Sequence, residues 1–170
     1  MIKTKGYSLW LMPEGEIYKK LAGIISDLSK RYKTPKFEPH VTLLGEVEKY
    51  KKQRMISWTS SLSRLIKPFE IKLDGVDYRG ETFKSLFIKV EESRDIMHAN
   101  FTAKKVFGLE FDYKPHLSLL YGDIDQRIKK AIITELGDFD LSFAADKIHL
   151  YSTRGEPKKW HKIDEFKLEK

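Results

Sequence analysis

One segment of this chain is written twice. Residues 37 to 47 read FEPHVTLLGEV and residues 113 to 123 read YKPHLSLLYGD, so an aromatic, a charge, Pro-His, an aliphatic, a hydroxyl residue and Leu-Leu recur in one order. Two copies of one β-prone segment ask for two equivalent places in a sheet, which constrains the fold more than any single element does. Alternate side chains of a strand share a face, so His40 and Thr42 point one way while Val41 and Leu43 point the other. His116 and Ser118 are related in the same manner. Each copy thus offers an apolar face to a core and a second face carrying an imidazole beside a hydroxyl.

The pattern around the repeat predicts a regular order of elements. YSLWLM is a short strand stopped by Pro13. Pro13, Glu14 and Glu16 then open a helix whose apolar positions are Leu21, Ile24, Ile25 and Leu28. The first repeat strand ends at Gly45. A helix follows with apolar spacing at Met55, Ile56, Leu62 and Leu65, closed by Pro68. FEIKLDGVDYRG and SLFIKVEE read as a hairpin-like pair, and SRDIMHANFTAKKVFG as a helix stopped by Gly108. After the second repeat strand come a helix in DQRIKKAIITELG and a strand pair in KIHLYSTRG and WHKIDEFKLE.

The expected order is therefore β-α-β-α-β-β-α-β-α-β-β. No Gly/Ser linker or low-complexity run divides it, so residues 1–170 read as a single domain made of two related halves. The expected class is α+β: two pseudo-twofold lobes of largely antiparallel sheet, with outer helices, facing each other across a central groove.

A chain of 170 residues and 20.0 kDa buries roughly 70% of the surface its unfolded form exposes, so its core needs no staples. Cysteine is absent, which excludes disulfides, thiolate nucleophiles and Cys-based zinc sites. The net charge of +7 and pI near 9.3 favour anionic partners, although the lysines are interleaved with acids as on any charge-rich surface. The first residues, MIKTKGYSLWLMPEGE, hold no apolar run long enough for a signal peptide or a membrane span. A monomer in the cytoplasm, without membrane association, is expected.

Two imidazoles and two hydroxyls gathered around a pseudo-twofold suit phosphoester hydrolysis. A neutral imidazole takes a proton from water and a protonated one gives a proton to the leaving oxygen, each transfer typically worth ~10²–10⁴-fold. The hydroxyls donate to non-bridging oxygens, where charge grows at the transition state. Such chemistry asks for no metal or other cofactor. A nucleophilic Ser118 lacks the G-x-S-x-G elbow, and zinc on His40, His116, His149 and His161 lacks acidic ligands at suitable spacing and an HExxH. Trp10, alternating with Ser8, is placed either to stack a base or ribose or to pack at a rim. Phe83, beside the hairpin turn, is placed to line the groove, with plain packing as its alternative. His149 reads as structural, His98 as solvated, and Trp58 as part of the helix core.

These residues resemble the two-histidine phosphoesterase superfamily, whose members carry two His-x-Thr/Ser motifs in a bilobal α+β fold. YSLWLMP, FEPHVTLLG, PHLSLLYGD and the late LYST…KKW are similar to its cyclic phosphodiesterase branch in plants and yeast, over nearly the whole chain. The resemblance implies opening of ADP-ribose 1″,2″-cyclic phosphate to ADP-ribose 1″-phosphate, and of nucleoside 2′,3′-cyclic phosphates to 2′-phosphates, without metal. It implies catalytic positions at His40, Thr42, His116 and Ser118, with His116 activating water and His40 protonating the departing oxygen. It implies that Tyr121 contacts the substrate phosphate and that Trp10 stands at the groove mouth. The partner is then a small phosphorylated ribose or nucleotide. The related RNA phosphodiesterases carry an arginine after their second motif, where this chain has LLYGD. An enzyme acting on RNA 3′ ends, a 2′–5′ RNA ligase and a non-catalytic cyclic phosphate or RNA binder are the alternatives.

Overall fold

Pro39 and Pro115 donate no backbone N–H, so neither repeat extends its ladder toward its own N-terminus and both strands begin beside a histidine. In the computed structural model, which describes residues 2–169, these strands are β2 (Val41–Val47) and β5 (His116–Leu120). They meet antiparallel through the pair Val41↔Leu117, the residues directly following the two histidines. Both are fully buried. The repeat therefore brings its two copies together at the centre of the sheet.

The other strands are β1 (Tyr7–Leu11), β3 (Phe69–Tyr78), β4 (Leu86–Val90), β6 (Asp140–Ala145), β7 (Lys147–Ser152) and β8 (His161–Lys167). All eight form one antiparallel sheet in the order β6-β3-β4-β5-β2-β1-β7-β8. Read outward from the Val41↔Leu117 pair, each half has a repeat strand, then the strand preceding it in the chain, then two further strands. Two pseudo-symmetric lobes result, as the duplication requires, and the class is α+β. The outer strands of the first lobe, β7 and β8, come from the far end of the chain.

Four helices cover the sheet: α1 (Gly15–Tyr32), α2 (Lys52–Ser63), α3 (Arg94–Phe107) and α4 (Gln126–Leu136). Leu21, Ile25 and Leu28 form the buried stripe of α1 and recur at the helical period; each such burial is worth roughly 1.5–3 kcal/mol. Helix α1 packs on β5 and α3 on β2, so each lobe's first helix braces the other lobe's repeat strand. Ser93 caps α3 by accepting from the Ile96 N–H, and Gly108 ends it in the left-handed conformation at φ 60°.

The structure corrects two expectations. Strand β6, unassigned in the sequence reading, pairs along its whole length with β3, from Phe69↔Ala145 to Asp74↔Asp140. Helix α2 stops at Ser63, and Leu65, expected on its apolar stripe, is 47% exposed. Trp58 is half-buried and packs against Tyr50 at 4.8 Å between ring centres. No helix among the described residues is long and apolar enough to cross a membrane.

Candidate active site

The repeat strands set the two histidines by the same local contact. His40 Nδ1 lies 2.6 Å from the Glu38 carbonyl oxygen and His116 Nδ1 lies 3.0 Å from that of Lys114. A carbonyl only accepts, so Nδ1 carries the proton in each neutral ring and Nε2 is left as the acceptor. His161, at the start of β8, makes the same contact with Lys159 at 3.1 Å, so the contact belongs to strand entry and is not specific to the repeat.

His40, Thr42, His116 and Ser118 line one cavity of about 310 Å³ together with Trp10, Phe83 and Tyr121. All seven residues singled out from the sequence are thus brought together. Thr42 Oγ1 makes no hydrogen bond among the described residues, whereas Ser118 Oγ donates to the Phe83 carbonyl at 2.8 Å. The two hydroxyls are not equivalent, as the bare repeat suggested. One is free to donate into the cavity, and the other first holds the 3₁₀ turn Thr82–Lys84 against β5.

Burial sets the electrostatics. It pushes His40 down to about 4, a shift that the Glu38 carbonyl opposes and the nearby His116 reinforces. His116 is half-buried; burial lowers it, the Lys114 carbonyl opposes this, and Lys84 adds to the lowering. Burial raises the Tyr121 phenol well above its ordinary value, with Ser118 pulling it partly back, so Tyr121 faces the cavity as a neutral group. Its ring is stacked on Phe37 at 3.7 Å and meets Phe83 edge-on at 5.2 Å.

Trp10 takes a different place from the groove-mouth position expected of it. It pairs with Thr42 across β1 and β2 and is only 2% exposed. One face of its indole stacks on His40 at 3.6 Å and the other on Tyr151 at 3.9 Å, so neither face is open to a base. The equivalent place in the second lobe belongs to Phe87, which pairs with Ser118 across β4 and β5 and meets His116 edge-on at 5.4 Å. Arg79 lies over Phe87 at 5.9 Å. Each histidine therefore has an aromatic neighbour from the adjoining strand. The first is enclosed by further aromatics and the second by a cation.

Several residues of the cavity went unassigned in the sequence reading: Ser8, Glu46, Glu81, Lys84, Thr153 and Trp160. Thr153 and Trp160 stand in the late LYST…KKW segment and Ser8 alternates with Trp10, so a signal existed for these three. Ser8 Oγ and Thr153 Oγ1 are 3.1 Å apart, and Thr4 donates to the Thr153 carbonyl. Lys84 had no local signal. It is the one cationic side chain among the described residues that line the cavity.

His149 is buried outside the cavity, its Nδ1 3.5 Å from Glu165 Oε2, and His161 is exposed beyond it. Among the described residues no three His, Cys, Asp or Glu side chains are grouped as metal ligands. The arrangement gathers two imidazoles with free Nε2 atoms, two hydroxyls, a phenol and an ammonium around a space of phosphoester size. That set can move protons on both sides of a phosphorus atom and receive charge on its oxygens.

Known proteins resemble this chain over most of its length. A cyclic phosphodiesterase of Arabidopsis thaliana is 26% identical over 164 residues, covering 92% of this chain and 90% of that protein. Among solved structures, TT0787 of Thermus thermophilus superposes with a TM-score of 0.70 at 17% identity, covering 95% of this chain and 97% of its own. Escherichia coli LigT complexed with 3′-AMP gives a TM-score of 0.66 at 12% identity, covering 98% and 99%. Residues 5–169 match the family described as cyclic phosphodiesterase-like protein. The chain belongs to that family, within the two-histidine phosphoesterase superfamily, and is a phosphodiesterase.

Proposed function

We propose that this enzyme hydrolyses a ribose cyclic phosphate, opening ADP-ribose 1″,2″-cyclic phosphate to ADP-ribose 1″-phosphate and nucleoside 2′,3′-cyclic phosphates to 2′-phosphates. His40 and His116 supply the proton transfers, and no metal takes part. The observation that carries this reading is the pair of imidazoles with Nδ1 bound to a backbone carbonyl and Nε2 left free, both lining one small cavity. The nucleotide in the 3′-AMP complex of the similarly folded LigT supports a nucleotide-sized ligand.

Burial supports the reverse of the expected division of labour. His40, held down to about 4, is neutral near pH 7 and suits the general base, while the more exposed His116 is the easier of the two to protonate. Water attacks phosphorus as His40 Nε2 takes its proton. The phosphorus bond to the departing ribose oxygen breaks, and His116 gives that oxygen a proton. Thr42 donates to a non-bridging oxygen, Ser118 joins it by turning from the Phe83 carbonyl, and Tyr121 supplies a neutral donor.

The test is turnover of ADP-ribose 1″,2″-cyclic phosphate and the four nucleoside 2′,3′-cyclic phosphates in EDTA by wild type, His40→Ala and His116→Ala. The expected result is activity in chelator and a loss of at least about a hundredfold in each variant. Binding of a nucleotide with no cyclic phosphate opened would overturn the reading and leave a recognition groove.

A further inference from the structure

A second cavity, of about 430 Å³, adjoins the first and shares His116, Glu81 and Lys84 with it. The two sides of the site differ in this respect. The ring of His40 is backed by Trp10 and then by Tyr151, both buried. Beyond His116 the sheet opens onto four cationic side chains, Arg79, Lys84, Lys89 and Lys114.

Their placement follows from the ladder. Lys89 pairs with His116 across β4 and β5, which sets their Cβ atoms about 5 Å apart on one face. Lys114 precedes His116 by two residues and therefore leaves the strand entry on the same side. Both lysines are exposed. Lys114 makes no ion pair among the described residues, and Lys89 reaches Asp74 only at 4.0 Å. Asp77, Glu81 and Glu92 also line the cavity. Asp77 is taken by Arg79 at 3.1 Å and Glu81 by Lys84 at 3.8 Å. Exposed pairs of this kind are weak and exchange readily for a phosphate.

We propose that this second cavity seats the diphosphate of a substrate whose cyclic phosphate occupies the first, with Lys89 and Lys114 as its specificity-determining cations. The inference rests on the cyclic phosphodiesterase reading above and deepens it. The departing oxygen remains on the substrate's ribose. A ribose beside His116 then directs what it carries toward the cationic cavity that His116 itself lines. A nucleoside 2′,3′-cyclic phosphate has no second phosphate and leaves the cavity unused; ADP-ribose 1″,2″-cyclic phosphate fills it.

The experiment compares wild type with the double variant Lys89→Glu/Lys114→Glu on ADP-ribose 1″,2″-cyclic phosphate, on cytidine 2′,3′-cyclic phosphate, and on a dinucleotide ending in a 2′,3′-cyclic phosphate. Lys52→Glu/Lys67→Glu, exposed positions outside both cavities, makes the same change in net charge and serves as its control. The double variant is expected to lose at least about tenfold more kcat/KM on the ADP-ribose substrate than on the cytidine one, the scale of one charge-assisted contact. Equal losses on both, or the same selective loss in Lys52→Glu/Lys67→Glu, would overturn the proposal. A selective loss confined to the dinucleotide would overturn the diphosphate assignment in favour of a phosphodiester chain. Should wild type open no cyclic phosphate, the functional reading fails. Calorimetric binding of ADP-ribose 1″-phosphate against cytidine 2′-phosphate still decides the seat, which stands if the double variant weakens only the former.

Discussion

The indole of Trp10 lies flat on the imidazole of His40, with ring centres 3.6 Å apart and planes 10° from parallel. The stack removes water from one side of the histidine and fixes the ring against rotation about its last bond. Trp10→Ala leaves a cavity between His40 and Tyr151 and is expected to cost ~3–5 kcal/mol of stability, read from the urea midpoint at an unchanged slope. Trp10→Phe keeps an aromatic face there and is expected to keep most of that stability.

Acid should weaken this protein through His40. Its folded value of about 4 lies below the unfolded 6.5, so between those values the unfolded chain binds the extra proton. The contribution is full above pH 6.5 and is lost as the pH falls toward 4. It amounts to something on the order of 3 kcal/mol. His116, lowered in the same direction, adds to it. Denaturation midpoints at pH 7 and pH 5 are expected to differ less in His40→Gln than in wild type, and an equal difference would discount the buried imidazole.

With His40 as base and His116 as acid, kcat/KM should follow a bell whose two limbs lie at or below pH 6.5. Burial is the main cause of the lowered His116 and the ammonium of Lys84 a lesser one. Lys84→Gln should therefore move the alkaline limb to higher pH, and an unmoved limb would separate Lys84 from His116.

Thr42 and Ser118 should respond differently to loss of their hydroxyls. Thr42→Val removes a free donor, so turnover is expected to fall with little change in melting temperature. Ser118→Ala also strands the Phe83 carbonyl and frees the 3₁₀ turn, adding ~1 kcal/mol of destabilisation. Matched kinetic and thermal measurements on both variants distinguish the two cases.

Gly6 holds β1 against β2. A Cβ at this position would stand 2.4 Å from the Val47 carbonyl oxygen, with the backbone at φ 73°. Gly6→Ala carries ~1–2 kcal/mol from the left-handed conformation alone, before the clash is counted. A fall in melting temperature of several degrees is the expected result.

Much of the site was legible because it rests on strand alternation, which needs no tertiary information. His40, Thr42, His116 and Ser118 follow from period two and from the repetition itself. Other features depend on distant pairings. Tyr151 covers Trp10 only because β7 pairs with β1. Lys84 reaches the cavity because Ser118 holds Phe83 and the Gly122 N–H holds the Thr82 carbonyl at 2.9 Å. No local pattern carries those contacts. Strand β6 was different: Leu141, Phe143 and Ala145 do alternate, but Asp138 and Asp140 before them and two adjacent alanines weaken the pattern to that of a loop.

The first lobe borrows its outer strands from residues 147–167, while the second draws its four strands from one continuous stretch. During synthesis from the N-terminus the second lobe can close first. Trp10 and His40 must wait, without the Tyr151 layer, until β7 has emerged. The symmetry of the finished molecule therefore conceals an order of assembly, and the half of the site made earliest is the last to be sealed.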